Sequence, residues 1–306
     1  MFTNRMIRNL LVPVVLEQIL NSIMGTADTM MVSNVGSAAL SAVSLVDSIN
    51  VLLIQAFSAL AAGGAIVCAQ YIGQRNYEKA NMSARQVLFI ITAISVVVSA
   101  VCLIFQKPLL RLIFGAVDAD VMRASEIYFF FTALSFPFIA AYDSAASIFR
   151  AQENTKGPMA ISMISNIMNI GGNAVLIWVF HLGVAGAAIS TLVSRIFCAV
   201  VVLWQLRKDR QPVVVKDYLK IRPDWSMIGR ILGLGIPSGI ENSMFQLGKL
   251  AIQSTVSTLG TAAIAAQAMT NILENLNGIA AIGVGVGLMT RSEERRVGKE
   301  CLRLCR

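Results

Sequence analysis

Apolar residues run in long stretches, at 10–35, 40–72, 87–105, 128–149, 159–180, 184–206, 228–259 and 261–290, separated by short polar segments. A helix needs about 20 residues to cross the ~30 Å hydrocarbon core of a bilayer, and each stretch reaches or closely approaches that length. The pattern predicts eight spanning helices, and therefore an all-α polytopic membrane protein. Residues 1–9 form a short basic lead into a full-length span rather than into a small-residue cleavage site, so no cleavable signal peptide is expected.

The last stretches repeat the first, 224 positions later. Pro-Val-Val-Leu-Glu-Gln from Pro13 aligns with Pro-Ser-Gly-Ile-Glu-Asn from Pro237, and Val-Gly-Ser-Ala-Ala-Leu from Val35 with Leu-Gly-Thr-Ala-Ala-Ile from Leu259. No gap is needed between 13–66 and 237–290. Parallel repeats about an axis along the bilayer normal are one way secondary transporters enclose a central cavity between two bundles.

Composition agrees with a membrane setting. The 306-residue chain is 56% hydrophobic and only 14% charged, with a mean hydropathy of +0.69, which excludes an ordinary soluble domain. Net charge is +8, and its placement matters more than its size. With the N-terminus inside, the loops at 73–86, 150–157 and 207–230 and the N-terminal lead hold about 14 basic residues; the outer loops hold Lys107, Arg111 and Arg123. The positive-inside rule then places the N-terminus in the cytoplasm. The charges are dispersed over loops, which argues against nucleic acid as a partner. Cys68, Cys102 and Cys198 lie in apolar helices as small hydrophobes. His181 is the sole histidine, so no metal centre and no cofactor is expected.

The longest polar stretch, 207–224, carries Pro212, Pro223 and alternating charge, and reads as a linker between bundles. The expected organisation is an N-terminal lobe of six helices over 1–207, a cytoplasmic linker over 208–227, and a partial second lobe with helices seven and eight over 228–290. Residues 291–306, with six basic and three acidic side chains directly after an apolar helix, read as a non-native tail.

Several segments together resemble the multidrug and toxic compound extrusion (MATE) family. Pro13 followed by Asp28-Thr-Met-Met-Val-Ser-Asn-Val-Gly36 is similar to its first helix, and Gly36–Ala42 to its loop into helix two. Gln70-Tyr-Ile-Gly73-Gln-Arg75 resembles the end of helix two, Gly183–Thr191 the start of helix six, and Leu234-Gly-Ile-Pro237 the opening of helix seven. The resemblance implies a two-lobed bundle of twelve helices, about eight of them present here. It also implies a secondary antiporter that exports organic, often cationic, drug-like solutes in exchange for H⁺ or Na⁺ by rocking between its lobes. A multi-pass protein of the bacterial plasma membrane, working as a monomer on a small organic substrate, is the corresponding expectation. A lipid-linked oligosaccharide flippase of the same superfamily is the alternative.

A carboxylate in a spanning helix costs a few kcal/mol or more, which makes each one a functional candidate. Asp28 follows Pro13 by fifteen residues and is flanked by Gly25, Thr26 and Ala27. It is the expected cation-coupling acid, for H⁺ or Na⁺, and Pro13 permits a bend in the same helix. Asn166, Asn169 and Asn173, spaced by three and four, share one face of helix five; amides offer acceptors to a cation and donors to a carboxylate. In some relatives an Asp stands where Asn173 is, so one carboxylate is absent here. Thr191 matches the family's polar position in helix six. Packing between helices is the plainer reading of these amides and of Thr191. Glu17 and Glu241 are equivalent under the repeat and, with Asp47 and Asp143, are gate or cavity candidates. Arg195 is expected to pair with an acid, and Lys249 with Glu274 or Glu241. Catalysis is not expected, since Ser238 with His181 is the one conceivable dyad and no nucleophile motif is present.

Overall fold

The computed structural model describes residues 24–115, 117–152, 154–208, 213–215, 223–271, 273 and 274, and all regular structure within them is helical. In chain order the helices are α1 (24–33), α2 (Ser37–Gly73), α3 (Tyr77–Ile104), α4 (Gln106–Phe114), α5 (Ala119–Leu134), α6 (Phe136–Ala151), α7 (Lys156–Ala174), α8 (Gly183–Leu206), α9 (Trp225–Ser257) and α10 (261–271). α7 runs without a break into a π-helical segment, Val175–Val179. Pro13, Glu17 and residues 291–306 lie outside the described residues.

By length and composition α2, α3, the Lys156–Val179 helix and α8 can each cross a membrane, and α5 with α6 passes the same test as a bent pair. The span expected at 128–149 therefore falls within a bent pair that begins at Ala119. The two helices meet at Ser135 with a 44° bend. Pro137 is the physical reason, because it has no N–H to continue the ladder and is tolerated only in the first turn of a new helix. α9 has 33 residues and is long enough to span, yet Glu241 and Lys249 make it less apolar than the other four. A second difference is α4, a short amphipathic helix between α3 and α5, with Lys107 and Arg111 on it.

The lobe's interior is small and polar-speckled while its outside is apolar. Ser41, Ser83, Ser95, Ser99, Thr132, Ser135, Ser144 and Ser147 are buried, and Val97, Ile104, Ile167, Val179, Phe180, Val200 and Trp204 are exposed. That inversion suits lipid, where close helix approach comes from small residues. Most of these hydroxyls are satisfied locally or across helices: Ser144 donates to the Ala140 carbonyl at 2.7 Å and Ser99 to Ala133 at 2.8 Å, while Ser83 Oγ is buried without a hydrogen-bond partner among the described residues.

α2 is the central helix and packs against α3, α5, α6 and, most extensively, α9. The α2–α9 crossing is backbone on backbone. A Cβ added to Gly63 would stand 2.5 Å from Gly235 N, and one on Gly235 would stand 3.0 Å from Leu60 Cα.

The turns at the two repeat positions are built alike. Gly36 and Gly260 both take positive φ, 141° and 97°. Val35 N donates to Val32 O and Leu259 N to Val256 O, each at 3.0 Å, while Leu40 N reaches Gly36 O and Ile264 N reaches Gly260 O at 3.1 and 3.3 Å. Between α8 and α9, the segment 213–215 is strapped to α3 and the residue that ends α6. Val213 N donates to Gln152 Oε1 and Val214 N to Asn81 Oδ1, at 3.1 and 2.7 Å. Asp224 then caps α9, accepting from Ser226 N and Met227 N, the usual use of an Asp before a first turn.

Candidate functional site

α1, α7 and α8 bring the predicted polar residues together. Asn169 and Asn173 lie one turn apart on the same face of α7, and both are buried. Gly172 between them leaves room for α8: a Cβ there would meet Ser190 Oγ at 2.4 Å. Ser190 uses that room to donate to the Asn169 carbonyl at 2.8 Å, and Ser165 donates to Ser194 O at 3.1 Å one turn lower. The π-helical segment follows directly, a feature that recurs at functional sites.

Into this face points half-buried Asp28. Asn173 Nδ2 donates to Asp28 Oδ1 at 2.5 Å. With its amide nitrogen turned to the carboxylate, Asn169 donates to Oδ1 at 2.9 Å and Oδ2 at 3.3 Å. Thr191 Oγ1 lies 3.3 Å from the Asn169 amide and itself donates to Ala187 O at 3.0 Å. The four residues expected to form a cation site are thus one cluster. Its carboxylate has two amide donors, which is what an ionised Asp away from water requires. One acceptor is left over: Asn173 Oδ1 is buried with no hydrogen-bond partner. An uncommitted carbonyl oxygen beside a carboxylate is chemistry for a proton-bearing group or an alkali cation.

A second polar group lies deeper in the lobe. Asp47 Oδ1 accepts from Tyr128 OH and from Asn50 Nδ2, each at 3.2 Å. Arg195 donates to Ser135 Oγ at 2.6 Å, at the α5–α6 break. Tyr128, Asn50 and Ser135 were not singled out by the sequence, where they stand in largely apolar runs. Asn50 reaches Asp47 from one turn along α2, while the register between helices brings Tyr128 to Asp47 and Arg195 to Ser135.

The remaining candidates are placed apart. Asp143 and Asn166 are half-buried on α6 and α7, while Glu241 is exposed on α9. Lys249 selects Glu274, with Nζ 2.8 Å from Oε1, and also stands 5.3 Å from the centre of the Phe245 ring. His181 takes φ 53° in the turn before Gly183, and no hydrogen bond joins it to Ser238 among the described residues. No group of three or more His, Cys, Asp or Glu side chains that could hold a metal ion occurs among the described residues.

Comparison with known proteins matches the chain to one family. Residues 13–175 match MatE. The chain is 27% identical over 287 residues to "Probable multidrug resistance protein YoeA" of Bacillus subtilis (strain 168), covering 91% of this chain and 61% of that protein. It is 24% identical over 288 residues to "Probable multidrug resistance protein NorM" of Thermotoga maritima, covering 92% and 61%. The chain thus spans about three fifths of the length of these relatives. A solved structure of the MATE multidrug transporter DinF-BH aligns with a TM-score of 0.86 at 22% identity, over 93% of this chain and 64% of that one, which establishes the fold. The apolar helices and the matches together make this a multi-pass membrane protein, and the chain belongs to the MatE family of multidrug and toxic compound extrusion transporters.

Proposed function

We propose that this chain supplies the first lobe and the opening of the second in a bacterial antiporter that expels organic cations in exchange for H⁺ or Na⁺. The lobes are 1–207 and 228–290, joined by the linker over 208–227, with the N-terminus in the cytoplasm of a plasma-membrane protein. The observation that carries the reading is the Asp28 site: a half-buried carboxylate gripped by two amides from α7, with the unpartnered Asn173 carbonyl beside it. A carboxylate that is neutralised, by a proton or by Na⁺, loosens its amide donors. α1 and α7 then change their relation, and access to a cavity between the lobes changes with them.

The relatives named for multidrug resistance support the substrate class. The charge pattern supports it too. A flippase for a lipid-linked pyrophosphate needs a broad basic cavity, whereas the basic residues here are concentrated in loops, with Arg195 donating to Ser135. The test is growth. The full-length parent, expressed in a bacterium stripped of its own exporters, is expected to raise tolerance to cationic rhodamine dyes severalfold. Tolerance at the vector level, with the protein present in the membrane, contradicts the reading.

A further inference from the structure

The outer surface of the first bundle carries a groove that the Asp28 site does not use. It lies between α7 and α8, at the end where the linker leaves α8, and encloses about 480 Å³. Ile164, Val201 and Trp204 are its apolar wall, and Gly157, Gln205 and Lys208 bring polar groups to it. Ile164 is 51% exposed and Trp204 58%. Further along the same two helices Ile167 and Val200 are exposed as well, so apolar surface continues toward the middle of the span.

The polar end of the groove is built rather than merely wet. Lys208 Nζ stands 3.5 Å from the centre of the Trp204 ring, a cation–π contact that holds a long side chain in one place. An indole at a helix end sits at the level of lipid headgroups, and a lysine beside it directs its charge there. The flanking segments, 150–157 and 207–210, hold five basic residues against Glu153 and Asp209, so this end of the bundle is net positive. Gln205 adds what a plain lipid-facing surface lacks. A Cβ on Gly157 would stand 3.0 Å from Gln205 Nε2 and 3.2 Å from Oε1, so the glycine lets the amide lie against α7. Gln205 Oε1 is buried with no hydrogen-bond partner among the described residues. An unpaired buried acceptor is unfavourable, and hydrocarbon cannot pair it, whereas a headgroup hydroxyl can.

We infer that this groove binds an anionic phospholipid with a hydroxylated headgroup. The phosphate lies against Lys208, a headgroup hydroxyl donates to Gln205 Oε1, and an acyl chain runs along Trp204 and Ile164. The site is separate from the Asp28 cluster, so the failure of either reading leaves the other standing.

The test uses quenching by brominated acyl chains, which act on a tryptophan they touch. The chain has three tryptophans, Trp178, Trp204 and Trp225, and Trp178→Phe with Trp225→Phe leaves Trp204 alone. This variant is reconstituted in dioleoylphosphatidylcholine vesicles, and brominated phosphatidylglycerol, phosphatidylmethanol or phosphatidylcholine is mixed in at rising mole fraction. Half-maximal quenching is expected at a mole fraction roughly fivefold lower for phosphatidylglycerol than for phosphatidylcholine, the gain from one interfacial cation. Lys208→Gln is expected to remove that preference. Phosphatidylmethanol has the charge without the hydroxyls and is expected to bind roughly threefold more weakly than phosphatidylglycerol, a gap that Gln205→Leu closes. Trp178, at the far end of the same helix, is expected to show no preference when it is the single tryptophan. Soluble glycerophosphate is expected to leave the quenching unchanged. Equal quenching of Trp204 by phosphatidylglycerol and phosphatidylcholine overturns the inference. So does a preference that survives Lys208→Gln or appears equally at Trp178, or a gap between the two anionic lipids that persists in Gln205→Leu. Displacement of the brominated lipid by glycerophosphate overturns it too, by showing a site for a free phosphate ester.

Discussion

Asp28→Asn in the full-length parent is expected to cut dye export roughly 100-fold while leaving the protein in the membrane at its usual level. The size follows from the contacts. Asp28 takes hydrogen bonds from Asn173 and Asn169, and hydrogen bonds to a charged group contribute about 1.5–3 kcal/mol each. The substitution keeps the shape and removes the charge, so the amides lose their reason to clamp. Thermal stability is expected to move the other way or not at all, because desolvating a carboxylate costs free energy that a neutral amide does not. Export by the variant at the wild-type rate, at equal membrane abundance, would contradict the role given to Asp28. Lost export with a large fall in melting temperature would show a structural part instead.

Gly63→Ala is expected to have the largest effect on stability. Helices α2 and α9 meet there through bare backbone, and a methyl group on Gly63 would stand 2.5 Å from Gly235 N, 2.6 Å from Gly235 Cα and 3.0 Å from Ile231 O. None of these atoms is the end of a flexible side chain, so the helices themselves must separate. Overpacking of this kind costs about 1–3 kcal/mol, and a rigid backbone neighbour puts this site at the upper end. A fall in melting temperature of about 5–10 °C in detergent is the corresponding readout. Gly233→Ala serves as the control, since nothing lies within 4 Å of a Cβ there. Equal melting of the two variants would mean that α2 and α9 do not cross at Gly63. The crossing joins a helix of the first lobe to the opening helix of the second, so export is expected to fall with it.

Most helices are legible in the sequence because lipid makes the pattern coarse. The run at 40–72 corresponds to Ser37–Gly73, and the run at 184–206 to Gly183–Leu206. The apolar pattern places the start of α3 ten residues late. Tyr77–Gln86 is polar enough to resemble a loop, yet the Asn76 side chain accepts from Lys79 N and begins the helix there. The break at Ser135 is hidden by an unbroken apolar run, although Pro137 carries the signal.

The Asp28 cluster is legible for a different reason. A spacing of four puts Asn169 and Asn173 on one side of any helix, and a lone acid in an apolar span demands donors. The partnership of Asp47 with Tyr128, and the reach of Arg195, depend on how α2, α5 and α8 are rotated and staggered. No periodicity along one helix encodes that.

Uphill transport is the most direct measurement of the central claim, that cation entry at Asp28 drives organic solute out. Full-length parent reconstituted into proteoliposomes would be given a Na⁺ gradient, a proton gradient or neither, with a cationic rhodamine dye present at equal concentration on both sides. The expected result is dye movement against its own gradient when one of the two cations runs down its gradient the other way, and none with Asp28→Asn. Dye that only equilibrates whichever cation gradient is imposed, or that is driven equally well by Asp28→Asn, would contradict it.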